Sequence, residues 1–137
     1  MIRRKRKSKK DKTPRELLID RADQIFREII YVRDGKICQL AGKDNVNCGG
    51  GIQCAHIITR ARYRIRWEPM NAMCLCQGHH WYYTNNNHVW FPLVERLFPE
   101  MWKTVDLLKH LPGSTKKLDL DLLMLKLEQI HKQLTGA

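Results

Sequence analysis

The chain has 137 residues, enough for one domain with an appended arm, and 43% of them are hydrophobic, which allows only a small core. A formal charge of +11 and a pI near 9.7 point to a polyanionic partner, nucleic acid before an anionic membrane surface. No apolar run approaches the roughly 20 residues of a membrane span, and no apolar signal-peptide core follows the basic N-terminus, so a soluble, cytoplasmic protein with no membrane partner is expected.

Residues 1–12, "MIRRKRKSKKDK", hold eight Lys or Arg against one Asp, more than half of the net charge. Such a block repels itself and is expected to be disordered alone, serving as a phosphate-tracking arm or a solubilising tail. "TPRE" then signals a helix start: Thr13 can cap, Pro14 suits the first turn and Glu16 completes a capping box. Leu18, Ala22, Ile25, Phe26 and Ile29 form one apolar stripe, and the helix is expected to stop near Val32, where Gly35 can turn left-handed.

From Cys38 to Trp67 there is no long helix signal. "DNVNCGGG" reads as a loop and "IQCAHII" as a short strand. "ARYRIRW" alternates, and an extended segment would present Arg62, Arg64 and Arg66 on one side while Tyr63, Ile65 and Trp67 pack. With Arg60, these arginines are the candidate phosphate contacts; a solvated edge with no partner is the alternative. "WYYTNNN" reads as a short helix ending in an asparagine turn. Pro92 and Pro99 are expected to split the next region near Leu93–Phe98 and Glu100–His110, and "LPGS" at 111–114 is a break. A last helix is expected from Asp119 to Leu134, with Leu123, Leu127, Ile130 and Leu134 on one face, packed internally or against a second subunit.

The cysteines are Cys38, Cys48, Cys54, Cys74 and Cys76. An odd count without an export signal argues against a disulfide framework and for metal ligands, with buried free thiols as the alternative. Cys76 and His79 have the spacing of a zinc knuckle. His80 follows at once; neighbouring side chains point apart, so His79 and His80 are expected to serve different purposes.

"QCAHIITR…RWEPMNAMCLCQGHH" resembles the HNH nucleases, and is most similar to phage-type members of the Rap/NinG recombination-nuclease kind. The resemblance spans about Cys38 to His80. It implies an α+β fold: a small ββα-metal (His-Me finger) core with a zinc knuckle, flanked by N-terminal and C-terminal helices. Residues 13–137 then form a single domain, with an N-terminal helix over 13–34, the core over 36–90 and C-terminal helices over 91–137. It also implies a metal-dependent endonuclease that hydrolyses DNA phosphodiester bonds, on branched or phage DNA, in the cytoplasm of a phage-infected host. His56 would activate water, since a neutral imidazole can take a proton near neutral pH. His80 would hold one Mg²⁺ or Mn²⁺ ion. Asn71 would hydrogen-bond backbone and fix the loop between the strands.

Two departures from the family pattern stand out. Many members carry a metal-ligating Asp directly before the strand His, where this chain has Ala55; Thr84, His88 or water would complete the shell. The first zinc knuckle lacks its second Cys because residue 41 is Ala. Cys38, Cys48, Cys76 and His79 are the expected zinc ligands, with Cys54 as the alternative to Cys48 and Cys74 in the core. Competing readings are an RNA-directed nuclease or toxin of the same fold, and a zinc-stabilised DNA-binding module without activity. A pure zinc module has no need of His56.

Overall fold

Thr13 caps the first long helix, α1 (Pro14–Asp34), in the computed structural model, which describes residues 5–61, 63–110 and 118–136. The Thr13 hydroxyl accepts the Glu16 N–H while the Glu16 carboxylate accepts the Thr13 N–H, the reciprocal box that the sequence predicts. Gly35 ends the helix at φ 65°, where a Cβ would be strained. Ahead of α1, Lys9–Asp11 makes one 3₁₀ turn, and Lys7 and Lys12 pair with Glu16 and Asp20.

Strands β1 (Ile52–His56) and β2 (Ala72–Cys76) pair antiparallel, with Cys54 opposite Cys74 and His56 opposite Ala72. Between them lie a single helical turn, α2 (Tyr63–Arg66), and a 3₁₀ turn, Pro69–Asn71. After β2 come α3 (Gln77–Thr84), α4 (Asn87–Leu97), α5 (Pro99–Leu108) and α6 (Leu120–Thr135). The fold is therefore α+β.

Every residue of β2 is buried, because the strand is covered on both faces. Ala72 and Cys74 pack with Phe26, Ile29 and Ile30 of α1 and with Met124 and Leu127 of α6. Met73 and Leu75 face the other way, toward Tyr83, Trp90, Val94 and Val105. The end of α1 is stitched to the sheet by polar groups. Arg33 donates to the carbonyls of Pro69 and Ala72, both at 2.6 Å, and the Asp34 carboxylate accepts the Cys74 N–H at 2.8 Å.

Three expectations need correction. "ARYRIRW" is not extended, since Tyr63–Arg66 is helical. Ile65 and Trp67 are buried as the alternation suggests, but Arg66 turns inward to Asp23 of α1, with only 12% of its side chain exposed. Four residues cannot separate a period of 2 from one of 3.6, and an ion pair 43 positions away settles the outcome. Arg62 and the side chain of Arg64 lie outside the described residues, as does the break at 111–114.

Pro92 does not start a new piece; it sits inside α4, which begins at Asn87. An interior proline costs about 3 kcal/mol. Burial of Trp90, Leu93 and Val94 offsets this, at about 1.5–3 kcal/mol for each fully buried side chain. In α6, capped by Asp119, the buried positions are Leu120, Met124 and Leu127, while Leu134 is exposed. That stripe packs on α1 within the chain, flanked by Arg21–Glu128 and His131–Glu28 pairs. Among the described residues no helix is long and apolar enough to cross a membrane.

Candidate metal centre and histidine cleft

Four ligand groups meet where β2 runs into α3. Cys38 follows α1, Cys48 comes from the glycine-rich loop, Cys76 ends β2, and His79 lies in the first turn of α3. Their ligand atoms all lie within 4.8 Å of one another. His79 Nδ1 is 3.1 Å from Cys76 Sγ, 3.6 Å from Cys38 Sγ and 3.7 Å from Cys48 Sγ. Zinc–sulfur and zinc–nitrogen bonds of roughly 2.3 and 2.0 Å at tetrahedral angles require sulfur–nitrogen separations of about 3.5 Å. The cluster can thus hold a metal such as zinc. Cys48, not Cys54, joins the other three; Cys54 sits in β1, packed toward α1, with burial pushing its thiol up to about 12. Cys74 is fully buried and donates its thiol toward the Ile30 carbonyl, a core role.

Local structure explains the convergence. Cys76 is the N-cap of α3, its sulfur accepting the His79 N–H. The Cys48 loop is pinned to α3 by Gln77 N–H to Gly51 carbonyl and Gly78 N–H to Gly49 carbonyl bonds, both 2.9 Å. Of the three consecutive glycines, Gly50 carries the constraint: φ is 77° and a Cβ would lie 2.5 Å from Gln77 Oε1.

Asp44 carries no motif that marks it in the sequence. Its carboxylate accepts from His79 Nε2 at 2.8 Å and from the Tyr83 hydroxyl at 2.5 Å. That bond places the proton on Nε2 and leaves Nδ1 facing the sulfurs, the orientation a metal-binding imidazole needs. Burial works against the Asp44 charge, but the bonds from Tyr83 and His79 hold its carboxyl below the usual range. Burial also opposes the Cys76 thiolate, yet the N–H groups of His79 and Gly49 and the His79 ring bring it down to about 6. Burial and the neighbouring Cys76 and Cys38 push Cys48 up to about 11.

His80, the adjacent residue, points elsewhere. It lines a cleft of about 870 Å³ together with His56. His80 Nδ1 lies 2.7 Å from Gln53 Oε1, so Nδ1–H donates to the amide oxygen and Nε2 keeps its lone pair. His56 Nε2 lies 2.8 Å from the Arg66 carbonyl, so Nε2–H donates there and Nδ1 keeps its lone pair. The His56 ring stacks on Phe26, with centroids 5.4 Å apart. Burial first, and the charge of Arg60 in part, hold His56 below its ordinary pKa, although the Arg66 carbonyl pulls the other way. Burial lowers His80 as well. Thr84 lines the cleft and His88 does not.

Asn71 is fully buried and closes the loop between the strands. Its Oδ1 accepts the Ile58 N–H at 2.8 Å, and its Nδ2 donates to the carbonyls of Ile58 and Ile65, both at 3.1 Å. Asn71→Ala strands these three backbone groups, at about 1–3 kcal/mol for each that stays dry. A loss of about 3 kcal/mol is expected in urea unfolding, together with loss of whatever activity the cleft has.

Arg60 is exposed and lines the cleft, as do Arg6 and Arg27. Arg27 projects from α1 one position after Phe26, and its sequence context, a helix face, gave no hint of this. Asp23 is the one carboxylate among the described lining residues, and Arg66 and Trp67 occupy it. No family model, curated protein or solved structure matches the chain.

Proposed function

We propose that the chain is a metal-dependent endonuclease acting on DNA, built on a ββα-metal finger whose knuckle holds a structural zinc ion. The observation that carries this reading is the pair of complementary histidines in one basic cleft: His56 with a free Nδ1 and His80 with a free Nε2, each fixed by a hydrogen bond on its other nitrogen. The order β1, β2, α3, with His56 ending β1 and His80 in α3, supports the finger topology.

His56 takes a proton from the attacking water through Nδ1. It is suited to this because burial keeps it neutral at neutral pH, while the Arg66 carbonyl stabilises the positive ring that forms. Arg27, Arg60 and Arg6 neutralise phosphates along the cleft. His80 Nε2 is the protein donor for a divalent ion, and Thr84 lies one turn on along the same face of α3. One imidazole with neutral oxygens and no free carboxylate among the described lining residues suits Mn²⁺ better than Mg²⁺. Such an ion, when bound, supplies charge neutralisation at the phosphoryl and leaving oxygens.

Zinc-loaded protein should nick supercoiled plasmid when Mn²⁺ or Mg²⁺ is added and not with zinc alone. Binding without cleavage in any divalent metal would identify a zinc-stabilised binding module instead; cleavage of RNA but not DNA would move the activity to the other nucleic acid. Binding should also weaken steeply with salt. Arg27→Ala is expected to reduce the slope of log affinity against log salt by about 1, and deletion of residues 1–12 by more, at about 0.9 for each duplex phosphate that is no longer neutralised. An unchanged slope after the deletion would make the arm a solubilising tail.

A further inference from the structure

We infer that Asp23 is a positioning residue that sets the tautomer of His56 through the Arg66–Trp67 peptide; the inference rests on His56 serving as the base. The Arg66 carbonyl is the group that His56 Nε2–H meets, at 2.8 Å. A carbonyl only accepts, so its place decides which ring nitrogen carries the proton and which is left to take one. That carbonyl belongs to the peptide bond joining residues 66 and 67. Asp23 grips the side chains on both sides of this bond. Its carboxylate accepts from Arg66 Nε at 3.0 Å, from Arg66 Nη2, and from Trp67 Nε1 at 2.9 Å.

The same face of α1 also fixes the ring. Phe26, three residues after Asp23, stacks on His56 at an interplanar angle of 24°. One helix thus holds both the acceptor and the plane of the base. Asp23 touches neither water nor phosphate in this scheme; it acts through the Arg66 backbone. Without the two-pronged carboxylate, the 66–67 peptide keeps the Trp67 core packing but loses its tie to α1. Nε2–H then lacks a fixed acceptor, and the ring can shift its proton to Nδ1, where it cannot serve as a base toward the cleft.

The test uses the full-length, zinc-loaded protein labelled with ¹⁵N, the His56 ring signals being assigned by their loss in His56→Gln. Wild type is expected to show the Nε2–H tautomer at high pH. Asp23→Asn keeps the shape but loses the charged fork, and is expected to give a mixture of tautomers. Its kcat should fall by about 10- to 100-fold with KM within about twofold, the pattern of a misaligned group rather than weakened binding. Asp121→Asn, which removes an exposed charge from the first turn of α6, should change neither. If Asp23→Asn fails to fold, Arg66→Lys, which cannot make the paired contact, is read in its place with the same shift expected. Retention of a pure Nε2–H tautomer in the folded variant overturns the inference, whatever happens to activity. A tautomer shift in a protein that cleaves no nucleic acid upholds the positioning role and removes only the nuclease reading.

Discussion

Replacing His56 by Ala is expected to slow strand cleavage by about 10²–10⁴-fold, the usual contribution of a general base. DNA affinity and zinc content should hardly change, because among the described residues the ring meets the Arg66 carbonyl and the Phe26 ring and lies outside the Cys/His cluster. His80→Ala should fail differently. It removes the Nε2 donor of the cleft, so higher Mn²⁺ should restore part of its activity and should restore almost none in His56→Ala. Full metal rescue of His56→Ala would mean that the two roles are exchanged. The wild-type rate, at saturating substrate and metal, should rise with pH while His56 loses its proton and then level off. Burial lowers that proton's pKa below 6.5, so the rise belongs on the acid side of this value. Stability has the same sign. The unfolded chain binds this proton more readily than the folded one, so the folded state loses stability as pH falls from above 6.5 through the folded pKa. Circular dichroism over the same range separates a protonated base from an unfolded protein.

Removing the ion from the Cys38–Cys48–Cys76–His79 cluster is expected to be as damaging to the fold as losing His56 is to the chemistry. The four ligands come from four segments: the turn after α1, a loop, the end of β2 and the start of α3. Without an ion, the backbone of the Cys48 loop is held to α3 by the Gln77 and Gly78 hydrogen bonds and by the Gly49 N–H on the Cys76 sulfur. Protein purified without added zinc should carry about one ion per chain. Cys76→Ser should lose it and lose about 4 kcal/mol or more of stability, the range in which loss of a structural metal falls. Well-folded protein with no bound metal would overturn this assignment. Zinc affinity should rise with pH, because binding displaces protons. Cys76 is already a thiolate above about pH 6, whereas Cys48, held up near 11, must give its proton to solvent. Competition against a chromophoric chelator at several pH values measures this directly. Asp44→Ala should weaken zinc by about 10- to 100-fold while leaving all four ligands in place.

Much of this molecule is written locally. The capping box at Thr13 and Glu16, the left-handed stop at Gly35 and the Asp119 cap each involve residues within a few positions of one another. So does the Cys76–His79 pair, which is both a metal spacing and a helix start. Groups that close can interact whatever the rest of the chain does, and residue type and spacing are enough to read them. The strand through His56, read as "IQCAHII", was legible for the same reason, whereas the bridging role of the buried Asn71 came from the resemblance to the HNH nucleases.

What the tertiary structure decided concerns partners far apart in the chain. Arg66 looked like one of a row of phosphate contacts, and it is an internal cation because Asp23 arrives from another helix. Pro92 looked like a break, and burial of Trp90, Leu93 and Val94 carries a helix through it. Asp44 looked like an ordinary loop acid, and it sets the proton of His79 from 35 residues away. In each case the free energy of a buried charge, hydrogen bond or apolar surface depends on which neighbours exclude water from it. That is a property of packing, and no window along the sequence contains it.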